Sequence, residues 1–462
     1  MNSKKVLVIG LDSAPPEIVF DEFYDQLPNI REMIDHGTSA KLMSCHPPIT
    51  IPAWLVMLTG KSPGRLGLYG FRHRKGYSYD EGWIASSRSV RGNKLWDILG
   101  INGKKVCLVG IPPTYPPVPV EGNLVSCFIT PDANREFTYP SQLKYEIQDL
   151  IGNYMFDVTF RTEDRDSLLK QIYAMTEQHF TVVRHMLVKK EWDFFMFVEI
   201  GIDRIHHAFW KFFDRQHEKY VPGNKYEDVI RQYYKFVDEK IGEILSLIDD
   251  DTVVITTSDH GAKRMRGAFC INEWLIQEGY LSLKHRPNSI IDLDKAEVDW
   301  QKTKAWGWGG YYARIFLNVK GREEKGFIDQ RDYESERDEL TKRLEQIRDP
   351  KGRVMDTKVF KPEELYSVSL GDKPDLMVYF DDLYWRSAGT IGHNSLYLSE
   401  NDTGPDDAVH SQEGIFVMYD PRGKKKRLDR INIMDITPII LDIMDIPIPE
   451  DVEGRIPREL LG

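Results

Sequence analysis

Cysteine is scarce in this chain of 462 residues, which contains four cysteines and no pair in Cys-x-x-Cys spacing. We therefore expect neither a disulfide framework nor a thiolate zinc site. Basic residues are in the minority, since 61 lysines and arginines stand against 72 aspartates and glutamates, for a formal net charge of -11. Without a net positive field, the chain lacks the attraction that drives general nucleic-acid binding.

Long apolar runs are absent as well. The longest uncharged stretch, residues 42–60, is about as long as a membrane span, but Pro47, Pro48 and Pro52 interrupt it as a helix. The apolar run Val6–Ile9 is too short for a signal-peptide core. We therefore expect no membrane segment and a cytoplasmic location. A composition of 41% apolar and 29% charged residues is typical of a globular chain, which excludes disorder.

Short apolar runs, rich in β-branched and aromatic residues, alternate with amphipathic helical patterns. Such runs are typical of strands buried on both faces of a parallel sheet. The predicted strands are Val6–Ile9, Val106–Val109, Phe194–Glu199, Val253–Thr257, Leu376–Phe380 and Ile415–Tyr419. The predicted helices are Lys94–Leu99, Ser167–Lys189 and Tyr226–Ile248. This alternation predicts an α/β fold with a doubly wound, mostly parallel sheet and helices on both faces.

Residues 281–370 differ from the rest of the chain, because charged clusters there surround an aromatic run, Trp306–Tyr312. We predict that 281–370 is an inserted cap facing the substrate, and that residues 1–280 and 371–462 form the α/β core. The aromatic run has two interpretations. It could stack on a flat group of a substrate, or it could form a tight turn and a wall of the core, which we favour.

Acidic and imidazole side chains stand next to the predicted strands, at the sheet edge where open α/β folds bind their ligands. They are Asp12, Asp203, His207, Asp259, His260 and His410. Mixed Asp/His sets suit zinc or a similar transition metal better than magnesium or calcium, which prefer oxygen ligands. Asp203 and His207 are four residues apart, so one helical turn places both side chains on the same side.

A candidate nucleophile precedes a predicted short helix. Pro52 fits the first turn of this helix and Gly60 its end. Thr50 is then placed at the helix N-terminus, where the dipole and free N–H groups favour an anion. Thr50 could also simply cap the helix, and the two roles are compatible.

These motifs, taken in order, resemble the type I phosphodiesterase/nucleotide pyrophosphatase family of the alkaline phosphatase superfamily, in its prokaryotic branch. The matching residues are Gly10-Leu11-Asp12, Thr50-Ile51-Pro52-Ala53-Trp54, Leu58-Thr59-Gly60, Asp203-x-x-x-His207, Ser258-Asp259-His260-Gly261 and His410. The resemblance implies an alkaline-phosphatase-like fold and a hydrolase of small phosphorylated substrates.

The resemblance also implies a site with two divalent metal ions, Zn²⁺ in the first place, with Mn²⁺ or Fe as alternatives. Asp203, His207 and His410 would hold one ion, while the other ion would be held by Asp12, Thr50, Asp259 and His260. Thr50 would attack phosphorus and form a phospho-threonine intermediate in the cleavage of a phosphodiester or pyrophosphate bond. We expect Asp406 and Asp407 to orient His410 through its second nitrogen.

The sequence departs from the family at one substrate contact. Many diesterases of this family place an Asn downstream of the nucleophile, and Phe71 stands near that place here. Phe71, Arg72, His73 and Lys263 are candidate substrate contacts, and a solvated basic loop is the alternative for the charged ones.

Two other functions stay open. The same site could serve a phosphomonoesterase, a phosphonate hydrolase or a phosphotransferase. A non-catalytic binding protein on this fold is the third hypothesis, which we disfavour because all seven motif positions carry residues competent for the chemistry.

Overall fold

The computed structural model describes residues 4–90 and 92–460. Its strands are β1 (Val6–Leu11), β2 (Thr38–Met43), β3 (Arg72–Arg74), β4 (Gly82–Ile84), β5 (Val106–Val109), β6 (Gly122–Val125), β7 (Thr138–Tyr139), β8 (Phe194–Glu199), β9 (Val253–Thr257), β10 (Gly261–Arg264), β11 (Gly267–Cys270), β12 (Ala305–Trp308), β13 (Ala313–Leu317), β14 (Lys358–Phe360), β15 (Leu376–Tyr379), β16 (Trp385–Ala388), β17 (Tyr397–Leu398), β18 (Ala408–Ser411), β19 (Glu413–Tyr419) and β20 (Lys426–Asn432).

The α-helices are α1 (Pro28–His36), α2 (Thr50–Thr59), α3 (Pro63–Leu66), α4 (Leu95–Ile101), α5 (Leu143–Ile151), α6 (Arg165–Lys189), α7 (Gly201–Phe213), α8 (Val229–Leu245), α9 (Ile271–Gln277), α10 (Tyr333–Leu344), α11 (Pro362–Leu365) and α12 (Ile436–Ile443). Within the described residues, no helix has both the length and the apolar character that crossing a membrane would require.

A nine-stranded sheet with strand order β20-β2-β19-β9-β1-β8-β5-β6-β7 forms the centre of the molecule. Its central strands β9, β1, β8, β5 and β6 run parallel, whereas β19 is antiparallel to both of its neighbours. Helices cover both faces. The predicted doubly wound α/β class is thereby confirmed.

Strand β1 is apolar at every position because the core covers it on both faces. Leu7, Ile9 and Leu11 pack into the hydrophobic core on one face of the sheet. Val6 and Val8 pack into the core on the other face. Since successive side chains of a strand point to opposite faces, a strand covered on both faces needs apolar residues at every position.

One predicted strand lies in another sheet. Residues 376–379 form β15, which pairs antiparallel with β13 and β14 in a four-stranded sheet of order β12-β13-β15-β14. Assigning Leu376–Phe380 to the parallel sheet was wrong. The four residues of β15 are buried, Leu376 and Val378 in a third core and Met377 and Tyr379 in a smaller cluster on the other face, so the strand is as apolar as a central strand.

Candidate active site

The carboxyl ends of β1, β8 and β9 meet at one edge of the main sheet. Asp12 directly follows β1, Asp203 lies in the first turn of α7 after β8, and Asp259 and His260 follow β9. Strand β18 pairs antiparallel with β10, in a register that places His410 opposite Ala262. The structure therefore brings together the six predicted acidic and imidazole residues, including a histidine 150 positions from the nearest of the others by sequence.

Two groups of ligand atoms form at this edge. Atoms of Asp12, Asp259 and His260 lie within 4.8 Å of one another, and so do atoms of Asp203, His260 and His410. His207 adjoins the second group, with Nε2 at 3.2 Å from Asp203 Oδ1. Because His260 belongs to both groups, they are direct neighbours. Either group could hold a metal ion.

The donor atoms fit a cation. Four buried atoms at these positions have no hydrogen-bond partner among the described residues: Asp12 Oδ1, Asp203 Oδ1, Asp259 Oδ2 and His410 Nε2. Burying three carboxylates together without compensation is costly. Unsatisfied ligand atoms aimed at a common space are what a metal site requires, and Asp/His sets suit zinc or another transition metal.

The second atom of most of these ligands is fixed by the surrounding protein. Asp12 Oδ2 accepts a hydrogen bond of 2.7 Å from Trp54 Nε1, and Asp259 Oδ1 accepts one of 3.3 Å from the backbone N–H of Ser13. A side chain at Gly10 would come within 2.6 Å of the Trp54 ring, so glycine is what lets the indole reach Asp12.

The two histidines next to α2 are oriented by backbone carbonyl groups. His410 Nδ1 lies 2.9 Å from the carbonyl oxygen of Pro48, and His260 Nδ1 lies 3.0 Å from that of Gly261. Their rings stack with centroids 3.8 Å apart. Each ring therefore presents Nε2 to the ligand groups, as a metal-binding histidine does when its other nitrogen is hydrogen-bonded.

Asp406 orients a different histidine from the one expected. Its Oδ1 lies 2.7 Å from His207 Nδ1, while its Oδ2 accepts hydrogen bonds from Arg386 and Arg161. The expectation that Asp406 orients His410 was wrong, because His410 uses the Pro48 carbonyl instead. Asp407 faces Lys211 and Arg165.

The pKa values follow from burial and from this crowding of charges. Burial, with the neighbouring carboxylates second, raises the pKa of Asp12 and of Asp259 well above the usual value. Burial opposes ionisation of Asp203 too, yet His207 and Arg204 bring its pKa well below the usual value. Burial lowers the pKa of His260 to about 4 and that of His410 well below the usual value, so both rings are neutral near pH 7, as metal binding requires.

Thr50 is the first residue of α2 and is 4% exposed. Ile49 caps the helix in an extended conformation, without a side-chain capping hydrogen bond. Thr50 Oγ1 lies instead 3.4 Å from His260 Nε2. Gly60 ends the helix at φ 64°, as its sequence pattern predicts. The Thr50 hydroxyl thus faces the ligand groups instead of capping the helix.

Of the four predicted substrate contacts, two are engaged by polar partners within the protein and two are not described with such a partner. Phe71 is half-buried and packs edge-on against Phe128, with centroids 6.1 Å apart. Arg72 is exposed. His73 is buried, accepts the backbone N–H of Tyr69 at 2.9 Å and stacks on a tryptophan. Lys263 pairs with Asp382. The structure therefore gives His73 and Lys263 partners within the protein.

Sequence reasoning missed three side chains near His207. Tyr311 donates or accepts a hydrogen bond of 3.1 Å at His207 Nε2, and Arg204 binds Asp203 Oδ2. Phe160 lies 5.3 Å from the His207 ring, centroid to centroid. Tyr311 belongs to the aromatic run of the predicted cap, so the favoured wall interpretation was incomplete. No local pattern marks Phe160.

Comparison with known proteins identifies the family. The profile of the type I phosphodiesterase/nucleotide pyrophosphatase family matches residues 6–406. The chain belongs to this family. It is accordingly a hydrolase of the phosphodiesterase/nucleotide pyrophosphatase type, a family that acts on small phosphorylated substrates. A comparison with curated protein sequences finds no match.

Solved structures of ectonucleotide pyrophosphatase/phosphodiesterase 5 share the fold over 96% of both chains. The murine protein, as an inactive threonine-to-alanine variant in complex with AMP, gives a TM-score of 0.57 at 13% identity. A second structure of the murine protein gives a TM-score of 0.56 at 12% identity, and a structure of the human protein gives a TM-score of 0.55 at 13% identity.

Proposed function

We propose that this family member cleaves a phosphodiester or pyrophosphate bond through Thr50, at a site with two divalent cations. The observation that carries the proposal is the group of buried ligand atoms without hydrogen-bond partners beside the Thr50 hydroxyl. Asp203, His207 and His410 would hold one cation. The other would be held by Asp12, Asp259 and His260 together with Thr50.

Zinc is the ion we propose first, because three of the protein ligands are imidazoles, and Mn²⁺ and Fe are the alternatives. Such a pair of ions, when bound, would stabilise both the attacking and the leaving oxygen of an in-line displacement at phosphorus. The lowered pKa values of His260 and His410 keep both rings ready as ligands near neutral pH.

The residues of the chain then perform the displacement. Thr50 Oγ1 would lose its proton to solvent and attack phosphorus, and a phospho-threonine would form as the bond to the leaving oxygen breaks; that oxygen keeps the electron pair and takes up a proton from solvent. Water would next attack this phosphoryl group, the bond from phosphorus to Oγ1 would break, and Oγ1 would regain a proton. The N-terminus of α2 favours negative charge at Thr50 throughout, since its dipole points toward the attacking oxygen.

A phosphomonoesterase is the second candidate, and one observation favours it. The Arg161 guanidinium, 25% exposed in its side chain, lies 4.8 Å from the ring centroid of Phe160 next to His207. Arg161 is paired with Asp406, so only part of its charge would reach a substrate, and that part would stabilise a dianionic monoester more than a monoanionic diester.

The rates of hydrolysis of bis-p-nitrophenyl phosphate and p-nitrophenyl phosphate by the metal-loaded protein decide between the two candidates. We expect the diester rate to dominate, and a dominant monoester rate would reverse the order of the candidates. The Thr50→Ala variant should keep its metal and lose turnover by about 1000-fold or more, because it lacks the attacking oxygen.

Thr50→Ser is the matched variant, since it keeps a hydroxyl at the helix N-terminus and should retain part of the activity. Acid quenching during turnover, followed by mass spectrometry of the peptide that contains Thr50, should show a phosphorylated threonine. Full activity of Thr50→Ala would show that another group attacks phosphorus.

A further inference from the structure

Tyr311 connects the predicted cap with the ligand groups. It lies in the turn between β12 and β13, outside the main sheet. Its ring stacks on His410, with centroids 3.7 Å apart and an interplanar angle of 24°. The Arg386 guanidinium lies 4.2 Å from the centroid of the same ring. These two contacts fix the ring, so the hydroxyl has one preferred position.

In that position the Tyr311 hydroxyl oxygen lies 3.1 Å from His207 Nε2. The Asp406 carboxylate only accepts hydrogen bonds, so the His207 nitrogen it contacts, Nδ1, carries a proton. Nε2 is then the nitrogen left for a cation. The Tyr311 hydroxyl therefore lies beside the nitrogen that a metal would need.

We infer that Tyr311 is a substrate-contacting residue, whose hydroxyl donates a hydrogen bond to a nonbridging oxygen of the phosphoryl group that Thr50 attacks. The inference rests on the proposed function. With His207 Nε2 bound to a cation, the fixed Tyr311 hydroxyl would lack this hydrogen-bond partner. An anionic phosphoryl oxygen between Thr50 and His207 would then accept its proton in a hydrogen bond.

Two arginines lie near this place. The guanidinium groups of Arg204 and Arg161 lie 4.6 and 4.8 Å from the ring centroid of Phe160, which in turn packs against His207. Arg204 is buried and shared between Asp203 and Asp157, while Arg161 pairs with Asp406 and remains partly exposed. Each of these carboxylates is thus paired with a guanidinium group, which limits the repulsion that an anionic acceptor would meet there.

The test compares Tyr311→Phe with its parent in the Thr50→Ala background, where no turnover interferes. Tyr311→Phe keeps the ring on His410 and removes only the hydroxyl. Calorimetric titration of the metal-loaded proteins with inorganic phosphate should show about tenfold weaker binding without the hydroxyl, as for one hydrogen bond to a charged acceptor. Metal affinity, measured by competition with a chelating dye, should stay the same.

Tyr312→Phe is the matched control, because it removes the neighbouring hydroxyl, which donates to the Tyr69 carbonyl oxygen at 2.6 Å. Its phosphate affinity should equal that of the parent. Equal phosphate binding with and without the Tyr311 hydroxyl would overturn the inference, as would a loss of metal affinity in Tyr311→Phe, which would make the hydroxyl a metal ligand. Failure of phosphate to bind the metal-loaded Thr50→Ala parent would instead overturn the proposed function.

Discussion

Asp406 is the residue that most directly sets the orientation of a proposed ligand. One of its oxygens holds His207 Nδ1, and the other is held by Arg386 and Arg161, so the carboxylate cannot turn without breaking two ion pairs. Burial opposes its ionisation, yet His207 and the arginines lower the pKa of Asp406 to about 2. It is therefore a carboxylate at every pH of interest.

Asp406→Asn should weaken metal binding by about 10-fold or more, because the amide no longer fixes the tautomer and basicity of His207. The measurement is the dissociation constant of the metal from chelator competition. Asp402→Asn is the control: its carboxylate accepts a hydrogen bond from Thr390, which lies outside the ligand groups. An unchanged metal affinity in Asp406→Asn would show that His207 is not a ligand.

At the residue scale, sequence alone predicts Asp12, Asp259 and His260, because each stands shortly after a strand that an apolar run in the sequence reveals. The partner of His207 is different. Asp406 lies 199 positions away in sequence, and its contact with His207 depends on how the segment before β18 packs against α7. Local patterns carry no information about such packing.

In the hairpin of β3 and β4, His73 has a structural role, although the sequence made it a candidate substrate contact. His73 on β3 pairs with Trp83 on β4, and their rings stack with centroids 4.3 Å apart. His73 Nε2 accepts the backbone N–H of Tyr69. Burial lowers the pKa of His73 to about 3, so the native hairpin holds a neutral ring.

This burial makes stability depend on pH. The unfolded chain protonates His73 near pH 6.5, whereas the native state does so only near pH 3, so the stabilisation is complete above 6.5 and is lost as the pH falls toward 3. Between pH 7 and pH 5 the His73 contribution to the free energy of unfolding should fall by about 2 kcal/mol. Urea unfolding of the wild type and of His73→Gln at both pH values checks this.

The glutamine carbonyl can accept the same N–H of Tyr69 but does not titrate. His73→Gln should therefore lose about 2 kcal/mol less stability than the wild type between the two pH values. An identical loss in both proteins would contradict the neutral, buried ring.

Elements differ in how well sequence reveals them. The helix α2 is bounded by Thr50 and Gly60 as its Pro and Gly positions indicate, because backbone preferences act locally. The strand β15 is apolar at every position like the central strands, yet it pairs with β13 and β14. Composition reports that both faces of a strand are covered; it does not report which sheet supplies the neighbours.

At the scale of the whole molecule, the alternation of strands and helices suffices for the α/β class, because each parallel connection requires a crossover helix. The order of the strands follows from packing across the whole chain, so local sequence patterns do not predict it. The division into a core and a cap at residues 281–370 stays a prediction, as does the cytoplasmic location.

Metal-edge anomalous diffraction from crystals of the zinc-loaded protein tests the central claim most directly. The account predicts two peaks about 4 Å apart, the distance expected of a two-metal phosphoryl-transfer site. One should lie among Asp203, His207 and His410, and the other among Asp12, Asp259 and His260, next to Thr50 Oγ1. A single peak, or peaks away from Thr50, would contradict it.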